Sequence, residues 1–287
     1  MKNIPIPRRG FRFIAFLFVA LSTQLLLLTS CDKIEKDQHW VYSGVSAEWH
    51  DYTGVVPNDM RVLMEKYTGV RCVNCPKADT VIHEAADKYG DAFIVIATHA
   101  GTFSRPYGED PTLSCSVAEE WHDYFGITAE PMGLLMRGKN SSDKWDLFSP
   151  IANFDNLIED YLNRAPEVAI ALSRMDSGGY SYASVEIEFL EDVAVPLTLT
   201  LVATEDDVQV TQESPAGHLE GYPENHVLRC AITDPWGMEV VADGKRGTKR
   251  QVRLPLEISN VTNLNNCNIV AFISEKESRR ILNAAQN

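Results

Sequence analysis

Basic residues are scarce in this chain. Its 287 residues hold 26 Lys and Arg against 40 Asp and Glu, a formal charge of −14 at pH 7. That balance speaks against a nucleic-acid partner, because phosphate binding needs the opposite sign. It also speaks against direct adhesion to anionic lipid. Internal repeats and low-complexity tracts are missing, which leaves ordinary globular domains: one large or two small. Cysteine is sparse, with six residues. They include one C-x-x-C and no second ligand pair at zinc-site spacing, so a structural zinc, which wants four ligands, is disfavoured even with His83 and His99 counted as nitrogen donors. EF-hand spacing is absent too, and Glu205-Asp206-Asp207 reads as a solvated loop. No metal and no cofactor is expected.

The long apolar run of the N-terminus is also too short for a good membrane span. Phe13 to Leu28 is interrupted by Ser22, Thr23 and Gln24, and Lys2, Arg8, Arg9 and Arg12 precede it. This is the pattern of an export signal over residues 1–30. It ends Leu28-Thr29-Ser30-Cys31, similar to the bacterial lipobox, which makes Cys31 the expected lipidated first residue. Several acyl chains there would anchor the protein to a membrane. Removing residues 1–30 takes away four basic and no acidic groups, so the mature charge falls to −18. An envelope compartment permits disulfides. Five cysteines remain besides Cys31, an odd number, so at least one is free or pairs outside the chain.

Residues 31–58 read as a lipid tether and an aromatic, turn-rich segment that could pack along a sheet edge. From Met60 the pattern sharpens. Arg61 to Met64 is a short strand. Ala78, Val81, Ile82, Ala85, Ala86 and Tyr89 form one face of a helix that starts at Pro76 and stops at Gly90. Phe93 to Ala97 is continuously apolar, as in a strand buried on both faces. Ser116 and Glu119 have capping-box spacing before a second helix. Met132 to Met136 is a strand, Lys144 to Leu147 a short edge strand, and Phe154 to Leu162 a last helical face. The order β-α-β-α-β-β-α over residues 59–165 is that of a thioredoxin fold. After Pro166 the period changes to two, as in Val185, Ile187 and Phe189 or Leu197, Leu199 and Leu201, which indicates a small β-sandwich over residues 167–287. The fold class expected is therefore α/β plus all-β: a thioredoxin-like domain followed by a β-sandwich domain. Glu205 to Glu224 is long and polar, a surface excursion.

Within this frame Cys72-Val73-Asn74-Cys75 acquires a context. Pro76 is tolerated only in a first helical turn, so the helix begins near Cys72 to Asn74, and Asn74 is a good N-cap. Cys72 then lies at the positive helix end, with Arg71 next to it, and both favour the thiolate. Cys72 is the expected attacking thiol and Cys75 the resolving one. Pro131 heads the Met132 strand, where thioredoxin-like domains carry a cis-proline facing the cysteines. Glu130 would then lie close to the thiols, and a carboxylate there opposes thiolate formation. A closed structural disulfide remains the competing reading. Cys230 and Cys267 could pair, or stay as two buried thiols; Cys115 is the best candidate for the free thiol. His99 is a hydrogen-bonded loop residue or a proton carrier at a strand end.

Glu65-Lys66-Tyr67-Thr68-Gly69, Cys72-Val73-Asn74-Cys75-Pro76 and Thr98-His99-Ala100-Gly101, with His226-Val227-Leu228-Arg229 and Asn266 to Phe272, resemble the Omp-twenty-eight-related outer membrane lipoproteins. The resemblance spans nearly the whole mature chain. It implies a thioredoxin-like domain joined to a β-sandwich on a lipid-anchored outer membrane protein. It supplies no activity. Thiol–disulfide exchange with protein substrates, with Cys72, Cys75 and Pro131 as the catalytic set, and a non-enzymatic binding role for the sandwich or the 205–224 excursion both remain open.

Overall fold

A computed structural model describes residues 47–177 and 180–287. The signal segment 1–30, the lipidation site Cys31 and most of the tether lie outside the described residues. The strands are β1 (His50–Asp51), β2 (Val62–Thr68), β3 (Phe93–His99), β4 (Met132–Leu135), β5 (Val168–Ser177), β6 (Tyr180–Phe189), β7 (Leu197–Glu205), β8 (Val208–Ser214), β9 (Gly217–Glu224), β10 (Val227–Ala231), β11 (Met238–Glu239), β12 (Lys249–Pro255), β13 (Cys267–Glu275) and β14 (Ile281–Gln286). The helices are α1 (Cys75–Tyr89), α2 (Ser116–Phe125) and α3 (Asp155–Leu162).

The expected period change at Pro166 is present, but it does not divide the molecule. Among the described residues an eight-stranded sheet runs β14–β13–β7–β10–β3–β2–β4, with β11 added at β7. The strands expected to belong to a separate sandwich thus continue the sheet of the first half, and residues 45–287 form one compact unit. The join is β10 alongside β3, parallel at Val227↔Ala97, where Ala97 N–H donates to His226 O at 2.8 Å. A second sheet, β1–β12–β6–β5, covers one face, and β1 is an edge strand, as the aromatic segment before Met60 suggests. The third sheet is the β8–β9 hairpin, which takes up most of the polar stretch 205–224 and has β9 largely exposed.

Alternation explains the layers. On β13, Ile269, Ala271 and Ile273 enter the core between the two sheets, while Val270 and Phe272 enter the core under the helices. β7 does the same with Leu199 and Leu201 against Val202. Because both of its faces are covered, all nine β7 residues are buried, the threonines that alternate with Leu197, Leu199 and Leu201 included. α1 presents Cys75, Ala78, Ile82 and Ala85 inward, spaced as one helical face. α2 buries Val117, Ala118, Trp121 and Phe125 and ends at Gly126 in the left-handed region, where its N–H closes on the last turn. Ser116 is the first helical residue and Cys115 the N-cap position, so the capping box does not form. Glu119 instead accepts from Ser114 Oγ at 2.6 Å and Gly101 N at 3.0 Å.

Beneath α2 lies a buried ion pair that the sequence does not announce. Arg137 donates to both Glu65 oxygens, with Nη2 at 2.7 Å from Oε1. Its guanidinium stands 4.5 Å from the Trp121 ring and 5.0 Å from Phe272.

Candidate functional site

The C-terminal ends of β2 and β3 define one end of the sheet, and the candidate residues collect there. β2 and β3 are parallel with Thr68↔His99, and β2 pairs antiparallel with β4 at Tyr67↔Met132. That register puts Pro131 beside the exit of β2, from which 69–74 lead into α1. The Glu130–Pro131 bond is cis. Gly69 is required by a close approach: a Cβ there would meet the Phe103 carbonyl at 2.5 Å, and Arg71 N–H donates to that carbonyl at 2.9 Å.

Cys72 and Cys75 are joined, with Cα atoms 5.4 Å apart, inside the range a disulfide accepts. Cys75 opens α1 and Pro76 sits in its first turn. Asn74 holds the N-cap position, but its side chain makes no capping bond. The pair is covered: Cys72 is 3% exposed and Cys75 fully buried.

Of the expected tuning residues, Arg71 has its side chain elsewhere and Glu130 differs in charge state. Arg71 turns away to the neighbouring loop, donating to Arg105 O at 2.8 Å and Pro106 O at 2.9 Å and stacking 4.0 Å over Tyr107. It ties down the loop rather than pointing at the thiols. The Glu130 side chain is 2% exposed, with Oε1 3.8 Å from His122 Nε2 and Oε2 without a hydrogen-bond partner. Burial, helped by the Glu119 charge, pushes its carboxyl up to about 8. At neutral pH it is therefore mostly protonated and does not oppose a Cys72 thiolate as a carboxylate would.

This carboxyl has a stability consequence. The unfolded group titrates near 4.5 and the native one near 8. Between those values the native state holds a proton that unfolding releases, so stability falls as pH rises through the window. Glu130→Gln should flatten this slope and be more stable than wild type above pH 8 by a few kcal/mol, at about 1.4 kcal/mol per pKa unit. Denaturant midpoints of both proteins from pH 5 to 9 check this; parallel profiles would refute it.

The covering element is the β8–β9 hairpin. Gln212, fully buried, donates from Nε2 to Cys72 O at 3.1 Å and Gly69 O at 3.4 Å. Glu213 N–H donates to Val70 O at 2.7 Å, and Tyr107 OH donates to the Glu213 carboxylate. Val208 and Val210 pack with Val70, Leu113 and Val227. The alternation of Val208 and Val210 with polar residues is the one sequence signal for this strand, and it says nothing of the partner. Gln212 braces the loop in its disulfide-bonded shape. Gln212→Leu should therefore shift the dithiol–disulfide equilibrium about tenfold toward the dithiol, about 30 mV, measured in a defined redox buffer. An unchanged potential would show that the brace acts equally on both states.

Among the described residues the other three cysteines are free: Cys115 and Cys267 buried, Cys230 partly so. The Cys230–Cys267 bond considered from the sequence is not formed. Cys230 is opposite Ala203 and Cys267 opposite Glu205, on the two sides of β7. Two strand spacings, about 9–10 Å, exceed the roughly 7 Å limit for a bridge. Burial pushes the Cys115 thiol up to about 11, away from the reactive thiolate. His99 is fully buried, with Nε2 3.4 Å from Glu224 Oε2. Glu205 is a buried partner of Arg229 at 3.1 Å, not a solvated loop residue. His83 is exposed beside Asp87, and among the described residues no group of three or more His, Cys, Asp and Glu is placed to hold a metal ion.

Comparison with known proteins gives a family and a fold. The family model described as outer membrane protein Omp28 matches residues 118–287. The match begins inside α2, beyond the disulfide, and spans the hairpin and the strands that complete the sheet. Among solved structures, HBP35 of Porphyromonas gingivalis superposes with a TM-score of 0.61 at 16% identity, over 81% of this chain and 76% of that one. Protein AGR_C_4864 from Agrobacterium tumefaciens does so with 0.50 at 14% identity, over 80% and 95%. A domain of the outer membrane lipoprotein Omp28 from Porphyromonas gingivalis aligns over 42% of this chain and 86% of that one, at 17% identity and a TM-score of 0.28. None of the curated proteins compared matches.

Proposed function

This chain belongs to the Omp28 family of outer membrane proteins, and from that premise we propose that it is an outer membrane protein held by lipid on Cys31, whose Cys72–Cys75 pair exchanges disulfides with thiol-bearing protein substrates. The observation that supports the exchange is the disulfide at the start of α1, at the same sheet end as a cis-proline. In oxidation, a substrate thiolate attacks Cys72 Sγ, the Cys72–Cys75 bond breaks, and Cys75 leaves as a thiolate that takes up a proton. A second substrate thiolate then attacks the mixed disulfide, releasing oxidised substrate and the Cys72 thiolate. Reduction runs the same steps backwards, with Cys72 attacking and Cys75 resolving. Pro131 shapes the wall along which the substrate lies.

Trapping tests it. Cys75→Ser should accumulate mixed disulfides through Cys72 when the protein is exposed to envelope extract, and Cys72→Ser should not. The burial of the pair under the hairpin favours a second reading, a non-enzymatic binding protein in which the disulfide is a staple. An absence of adducts, with a potential below about −300 mV, where inert structural bonds lie, would decide for the staple.

A further inference from the structure

A cleft of about 400 Å³ opens between α1 and the end of β9, a volume in the range of small-ligand sites. Ile82 and Val95 give it an apolar wall, and Tyr222, Asp79 and Glu224 line it beside them. The Glu224 side chain is 1% exposed. Its Oε2 faces Lys66 Nζ at 3.7 Å and His99 Nε2 at 3.4 Å, and burial of the carboxyl is outweighed by these two neighbours, which hold it ionised. Its other oxygen, Oε1, has no hydrogen-bond partner. A buried carboxylate oxygen without a donor is costly and calls for one. Lys66 is already shared with Asp79, whose second oxygen accepts from Tyr222 OH at 2.9 Å. With Glu84 at the rim the cleft carries three carboxylates against one lysine.

The group this arrangement lacks is a positively charged N–H donor with a carbon body for the apolar wall. We propose that the cleft binds a small organic cation, an ammonium or guanidinium group, free or at the tip of a partner protein's side chain, with Glu224 Oε1 as its anchor. Glu224 comes from β9 and Asp79 from α1, so a bound cation also joins the hairpin to the helix that carries Cys75.

Calorimetric titration of the folded protein with methylguanidinium and n-butylammonium tests this, with methylurea and n-butanol as neutral matches. Saturable binding of the cations, weakening as salt rises and absent for the neutral probes, is the expected result. Glu224→Gln should weaken binding at least tenfold. If that variant fails to fold, the exposed Glu84→Gln decides: it should weaken binding at least twofold with an unchanged melting temperature. A capped tripeptide with a central arginine that binds tenfold tighter than methylguanidinium assigns the ligand to a protein side chain; equal or weaker binding assigns it to a free cation. Equal binding of neutral and charged probes, no saturable binding to wild type, or unchanged binding in a folded Glu224→Gln protein would overturn the proposal.

Discussion

A chain ending at Ala165 will not melt cooperatively. The boundary looks like a domain end in the sequence, yet the cut removes β10, the neighbour of β3, and leaves that strand on a bare edge. It also removes Val202, Leu228, Val270, Phe272 and Ile281 from the core under the helices. Each large apolar side chain fully buried contributes roughly 1.5–3 kcal/mol, so five of them amount to most of the roughly 5–15 kcal/mol that keeps a protein folded. The Trp121 indole loses its acceptor Pro235 O at 3.1 Å, and the disulfide loses Gln212. Circular dichroism melts of residues 47–165 and 47–287 make the comparison. A cooperative transition of the shorter chain within ten degrees of the longer would show that the first half folds alone.

Removing one partner of the Glu65–Arg137 pair should be the most damaging single substitution. Both side chains are buried. Arg137→Met leaves the Glu65 charge without its partner, and Glu65→Gln leaves a guanidinium among aromatic rings. A broken buried pair costs about 3–5 kcal/mol, because the remaining charge is uncompensated. For a protein of this size that lowers the melting temperature by about 6–20 °C. Replacing both residues by methionine should recover most of the loss, since apolar residues of similar volume commonly match a buried ion pair. Chemical denaturation of the two single variants and the double variant closes the cycle. Single losses under 1 kcal/mol, or a double variant no better than the worse single one, would show that the pair is not what holds this part of the core.

Much of the site is readable along the chain because it is local. Pro76 after Cys75 places a helix start, and Gly90 places its end. The lead-in to Pro131 identifies the strand head, and a separation of three residues suffices to close the Cys72–Cys75 bond. The helical face of α1 and the unbroken apolar run of β3 follow from periodicity, which reports burial on one face or two. Periodicity is silent on which surface does the burying. The alternation after Pro166 reads as an independent sandwich because an inward-facing residue looks the same whether it meets a helix or a second sheet. Arg71 fails as a thiol neighbour for a related reason: adjacency in sequence does not fix where a long side chain points, and the 105–107 loop offers two carbonyls and a ring.

The scarcity of basic charge, the odd cysteine count and the one C-x-x-C before a helix are properties of the sequence alone, and they point to a disulfide at a helix start in an acidic chain. What covers that disulfide is decided only in three dimensions. Gln212 lies 140 residues from Cys72, Glu224 meets Lys66 across a cleft, and Glu130 holds a proton because the surrounding core strips it of water. The first two bring β8 and β9, which precede β10 in the chain, onto the end of the sheet where β10 joins β3. Strand pairing at such separations is chosen by the summed burial of two faces, and no local pattern encodes that sum.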